Sequence, residues 1–186
     1  EYGYTQILKE LYTLNPNLLN AKNNEGLTPA HIAAKEGNKE MLEVLFKLDK
    51  ILLIAKDSDG YTPAHFAAQK GHKEMLEALF KLDKNLLIEK DSGGYTPVHF
   101  AASYGHKEML EALFKLDKDL LNAKNYAGDT PAHLAARYGH TETLKALHGL
   151  KPDLLIAKNN GRTPAHYVAE YGYTQILKEL YTLNPN

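Results

Sequence analysis

The chain contains no cysteine. Its absence removes disulfides, thiolate metal sites and a cysteine nucleophile together. No apolar run approaches the roughly 20 residues of a membrane-spanning helix. An excess of one charge is also lacking: 22 Lys and Arg stand against 23 Asp and Glu, a formal net charge of −1. Such a balance provides neither a basic field to gather nucleic acid nor an acidic tail. Lys73, Lys81, Lys84 and Lys90 are interleaved with Glu74, Glu77 and Asp83, the pattern of a solvated helix face. The chain opens Glu1-Tyr2-Gly3-Tyr4, which is neither a signal peptide nor an initiator methionine. A fragment or an engineered piece is therefore expected, located inside the cell, in the cytoplasm.

What the chain does have is repetition. Thr-Pro-Ala/Val-His begins at Thr28, Thr62, Thr96, Thr130 and Thr163, in steps of 34, 34, 34 and 33 residues. A fixed period of this size means one supersecondary unit copied and stacked. Each unit of such an array leans only on its neighbours, and the stack presents an extended surface.

One unit, from Asp57 to Lys90, shows the local logic. Asp57-Ser58-Asp59-Gly60 is turn chemistry. Thr62 is placed to cap a helix that Pro63 starts, where the missing N–H costs nothing. Ala64 to Lys70 forms a short helix rich in small side chains, and Gly71 stops it. Lys73 to Leu82 then carries Met75, Leu76, Leu79 and Phe80 at helical spacing, a second and longer helix. Asp83-Lys84-Asn85 ends it, and Leu86-Leu87-Ile88 packs back beneath. Neither helix can bury its stripe alone.

The pattern Gly60-x-Thr62-Pro63-x-His65-x-Ala67-Ala68-x-x-Gly71-His72 resembles the ankyrin repeat. It recurs from Gly26, Gly94 and Gly128, and in weaker form from Gly161, so the resemblance covers nearly the whole chain. It implies an all-α fold: a helix-turn-helix solenoid of about five repeats with a half repeat at the N-terminus. The array is expected to be one domain over 1–186. Residues 1–17 are then a lone second helix, followed by units centred on 22–55, 56–89, 90–123, 124–157 and 158–186. Two departures stand out. The family period is about 33 residues, and the extra residue here is assigned to the return loop. The Leu expected after the proline is Ala30, Ala64, Val98, Ala132 or Ala165, with Phe66, Phe100 and Tyr167 placed to refill the volume. The last unit, one residue short at Asn159-Asn160-Gly161, is expected to have a shorter turn tip.

The histidines invite a metal reading. His31, His65, His99, His133 and His166 form a ladder with one rung per repeat. Packed helices lie about 10 Å apart, whereas zinc needs its ligands about 2 Å away. The rungs therefore read as hydrogen-bonded braces, and His72, His106 and His140 as loop braces. His72-Lys73-Glu74 lacks the second histidine of a metalloprotease helix. Gly93-Gly94 lacks the Gly-Lys-Ser/Thr of a phosphate loop. Repeat-equivalent residues spread along a surface instead of converging on a reacting atom, so no catalysis and no cofactor are expected.

A protein partner is the expected ligand, with no nucleic acid and no membrane. The resemblance implies that the concave face and turn tips hold it, where residues vary between units. After the tip glycine stand Leu27, Tyr61, Tyr95, Asp129 and Arg162. Near the end of the short helix stand Lys35, Gln69, Ser103, Tyr104, Arg137, Tyr138 and Tyr171, with Tyr126 in a neighbouring turn. Tyr and Arg are enriched at interface hot spots.

The two ends carry the same text. Residues 1–17 and 170–186 both read EYGYTQILKELYTLNPN, an offset of 169 residues. The offset equals four periods of 34 and one of 33, so Asn186 could be followed in register by Leu18. A duplicated five-repeat block, an engineered overlap and a window on a longer array all produce this pattern. A second function class follows from it: a structural, self-assembling array joined head to tail through identical ends.

Overall fold

The computed structural model describes residues 2–183, with side chains from Gln6 to Thr182. Its described residues form eleven α-helices joined by turns and short 3-10 segments. Contacts divide the chain into two compact units, Glu1–Ser92 and Gly93–Asn186.

In the first unit the helices are α1 (Tyr2–Leu14), α2 (Pro29–Lys35), α3 (Lys39–Leu48), α4 (Pro63–Lys70) and α5 (Lys73–Leu82). The short helices α2 and α4 pack side by side, while α3 lies between α1 and α5. The second unit holds α6 (Pro97–Ser103), α7 (Lys107–Leu116), α8 (Pro131–Arg137), α9 (Thr141–Leu150), α10 (Pro164–Glu170) and α11 (Thr174–Leu183). Here α8 sits between α6 and α10, and α7 packs on α9. Each unit thus has two layers, a row of short helices against a row of longer ones. The fold class read from the repeats is the one observed.

The expected helix signals are used as anticipated. Thr28, Thr62, Thr96, Thr130 and Thr163 are N-caps in extended conformation, each followed by proline at the first helical position. In α5 the buried stripe is Met75, Leu76 and Leu79, while Phe80 is only half-buried. Glu74 in its first turn and Lys81 in its last complement the helix dipole. Truncating a fully buried leucine such as Leu76 costs about 2–5 kcal/mol.

The return segments take the form of 3-10 helices at Pro16–Asn20, Lys50–Leu53, Lys84–Leu87, Lys118–Asn122 and Pro152–Leu155. The side chains of Asn15, Asp49, Asp83 and Asp117 cap four of them, each accepting from the N–H two residues on. Buried pairs such as Leu86 and Leu87 fasten the segment beneath the second helix. The last turn tip is shorter, as the missing residue predicts. Asn159 and Arg162 exchange both backbone hydrogen bonds at 2.8 Å. Asn160 and Gly161 close this two-residue hairpin with φ of 47° and 80°, the conformation that Asn-Gly favours.

Candidate protein-binding surface

The histidine ladder comes first, because it fixes where the turn tips stand. The Nε2 of His31 lies 2.9 Å from the Tyr61 carbonyl, that of His99 3.0 Å from Asp129 and that of His133 3.2 Å from Arg162. A carbonyl only accepts, so Nε2 carries the proton and Nδ1 is the acceptor. Nδ1 accepts from the threonine N–H at 3.1 Å in His31 and His99 and at 3.2 Å in His133. The threonine hydroxyl also points at it, 2.8–2.9 Å away. Each of these rings therefore ties its own helix start to the next turn, and neither nitrogen has a lone pair left for a metal. The rings are fully buried. Burial pushes His31 and His133 below the ordinary histidine range, partly offset by the carbonyls that accept from them.

Loop braces form a second line. His72 donates to the Lys35 carbonyl at 3.1 Å, and His140 to that of Ser103 at 2.7 Å. At the equivalent place Tyr173 donates its hydroxyl to the Arg137 carbonyl at 3.4 Å. His148, which has no counterpart in the other units, is half-buried in the last turn of α9.

The structure sorts the candidate partner residues into three groups. Leu27 and Asp129 are buried, at 5% and 3% exposure, so their side chains hold the array instead of facing solvent. The Asp129 Oδ1 accepts from Asn159 Nδ2 at 2.6 Å and from the Tyr167 hydroxyl at 2.8 Å. Tyr61 and Tyr95 are half-buried and lean on rings of their own repeats. Tyr61 meets His65 and Phe66 with centroids 6.0 Å away, and Tyr95 meets His99 edge-on at 5.8 Å. Lys35, Gln69 and Ser103 are also half-buried, and the Ser103 hydroxyl bonds back to the His99 carbonyl at 2.9 Å.

The third group faces water. Tyr104, Tyr138 and Tyr171 are 50%, 55% and 45% exposed. They occupy the C-cap positions of α6, α8 and α10, one per repeat, on neighbouring helices of the second unit. Tyr126, in a turn of the same unit, is 70% exposed. The equivalent positions of the first unit are Glu36 and Lys70, so the aromatic row belongs to the second unit alone.

Two arginines frame this row. The Arg137 Nε donates to the Tyr171 hydroxyl at 3.2 Å, a contact that holds the guanidinium above its usual range. Arg162 lies over the Tyr167 ring, 4.4 Å from its centroid, and pairs with Glu170. Tyr104 stacks on His106 at 6.4 Å and Tyr171 on Tyr173 at 6.3 Å. The rings are thereby held in place before any ligand arrives, which lowers the entropy cost of binding.

Phe66 and Tyr167, assigned to refilling volume beside alanine, also pack on the preceding repeat. Phe66 meets His31 edge-on at 5.6 Å, and Tyr167 meets His133 at 5.7 Å. The sequence signal for this contact is an aromatic residue one repeat beyond the histidine, at the position after it: Phe66 follows His65, and Tyr167 follows His166.

A family model described as ankyrin repeats (3 copies) matches residues 1–86, 50–124, 83–154 and 116–186. Together these segments span the chain. No curated protein matches it.

Proposed function

The chain belongs to the ankyrin repeat family, and from that premise we propose that it binds a protein partner through the tyrosine row of its second unit. Ankyrin repeats are in general protein–protein interaction modules and typically non-catalytic. The observation that carries the finer reading is the exposure of Tyr104, Tyr138 and Tyr171 at equivalent helix ends. Large aromatic side chains on a surface that the repeat does not dictate are a feature of interfaces. Arg137, bonded to one of these rings, adds guanidinium donors for carbonyl or carboxylate groups of the partner. The fitting ligand is a polypeptide segment with apolar side chains and at least one carboxylate.

The test uses peptides selected from a display library against the intact chain. Tyr104→Ala with Tyr138→Ala leaves the melting temperature nearly unchanged, because both rings are at least half exposed. Binding of the selected peptides weakens by more than about tenfold, the scale of a lost hot spot. Unaltered affinity overturns the reading.

A further inference from the structure

The repeated end sequence occurs in the structure in two settings, and each setting buries the face that the other leaves bare. Ile7 in α1 is 52% exposed, but its counterpart Ile176 in α11 is 5% exposed. Glu10 is exposed, whereas its counterpart Glu179 pairs with Lys145 of α9 at 2.6 Å. The other face reverses this. Leu177 and Tyr181 are 41% and 67% exposed, while their counterparts Leu8 and Tyr12 are half-buried. The Tyr12 hydroxyl donates to the Asp49 carboxylate at 3.3 Å. One helix sequence therefore fits the upstream repeat at one end and the downstream repeat at the other.

The first and last short helices, α2 and α10, leave matching positions exposed. His166 is exposed, although His31, His65, His99 and His133 are fully buried. Inside the units His31, His99 and His133 each meet a carbonyl of the next turn and, at His31 and His133, an aromatic edge from the next short helix. Carried forward by the same register, with 169 residues subtracted, His166 meets the Leu27 carbonyl and the Ile32 side chain of another copy. Ile32 is 39% exposed, whereas Leu134, at the same position of an inner repeat, is 2% exposed.

We propose that a second copy of this chain docks head to tail, with α10 and α11 of one copy on α2 and α3 of the next. In this arrangement α11 replaces α1 of the receiving copy, because the two helices are the same sequence at the same register position. Tyr181 takes over the bond of Tyr12 to Asp49, and the contacts of α1 are reproduced by α11. The gain is the junction between α10 and α2, which caps His166 and covers Ile32. Helix exchange of this kind is a low-cost route to association, and a head-to-tail interface does not close on two copies.

Sedimentation velocity and light scattering over a concentration series provide the test. The intact chain associates as concentration rises. Leu177→Asp blocks the tail and Ile32→Glu blocks the head, and each alone stays monomeric with little change in melting temperature. An equimolar mixture of the two forms one-to-one dimers, since each keeps the half the other lost. Leu8→Asp loosens α1 and lowers the concentration needed for association by about tenfold, the scale expected when a competing contact is removed. Tyr104→Ala with Tyr138→Ala leaves association unchanged, so this result is separable from partner binding. A monomer at every concentration for both the intact chain and Leu8→Asp overturns the proposal. So does association of Leu177→Asp alone, a mixture that stays monomeric, or weakened association in Leu8→Asp.

Discussion

His133 donates from Nε2 to the Arg162 carbonyl of the following turn at 3.2 Å, while its Nδ1 accepts from Thr130 N–H at the same distance. The neutral ring does both at once. A proton on Nδ1 turns the acceptor into a donor facing another donor, in a fully buried site.

Stability should therefore fall as the solution is acidified. Burial lowers the folded-state pKa of His31 and His133 below the ordinary value of about 6.5. Above that value both states are neutral and the rings contribute nothing to the pH dependence. As pH drops through it, the unfolded chain takes up protons that the folded chain resists, and the unfolded state gains. The slope reaches about 1.4 kcal/mol per pH unit for each such histidine. Urea unfolding at pH 7.5 and at pH 5.5 measures it. The double variant His31→Gln, His133→Gln starts less stable and shows a shallower slope. A pH-independent midpoint between these values contradicts the account.

Asp129 carries the largest predicted loss among the candidate partner residues, and in stability instead of binding. Both donors, Asn159 Nδ2 and the Tyr167 hydroxyl, land on its Oδ1. Asp129→Ala leaves two buried donors without an acceptor and costs about 2 kcal/mol or more. Asp129→Asn keeps an oxygen in the same place and costs much less. It also removes the carboxylate that, after burial, holds the Tyr167 phenol above its usual pKa. Chemical unfolding of the two variants, with a phenolate titration of each, separates the oxygen from the charge. Equal losses for Ala and Asn are the contrary result.

Asp129 also marks what was legible and what was not. The helix starts were readable because Thr-Pro-x-His states a cap, a first turn and a brace in four residues. The shortened tip followed from one missing residue and the Asn-Gly pair. Residue type does not distinguish Tyr61, which leans on His65 and Phe66, from Tyr104, which faces water. That difference lies in the position relative to the helix end. Asp129 varied from its repeat equivalents and so read as a binding residue. Its donors lie one repeat further on, 30 and 38 residues away, and only stacking brings them together.

Two glycines should respond to alanine in opposite directions. Gly60 has φ of 86°, and a Cβ there meets the Ser92 backbone nitrogen at 2.7 Å. Ser92 donates that N–H to the Asp59 carbonyl at 3.1 Å, so the intruding methyl strikes a bond between stacked turn tips. Left-handed backbone alone costs an alanine about 1–2 kcal/mol, and the clash adds to it. Gly149, in the last turn of α9, has no atom within 4 Å of a built Cβ. Alanine restores helix propensity there and gains up to about 1 kcal/mol. Thermal unfolding of Gly60→Ala and Gly149→Ala reads both shifts on one scale. Loss at Gly60 with gain at Gly149 is expected. A neutral Gly60→Ala contradicts the close approach of neighbouring turn tips.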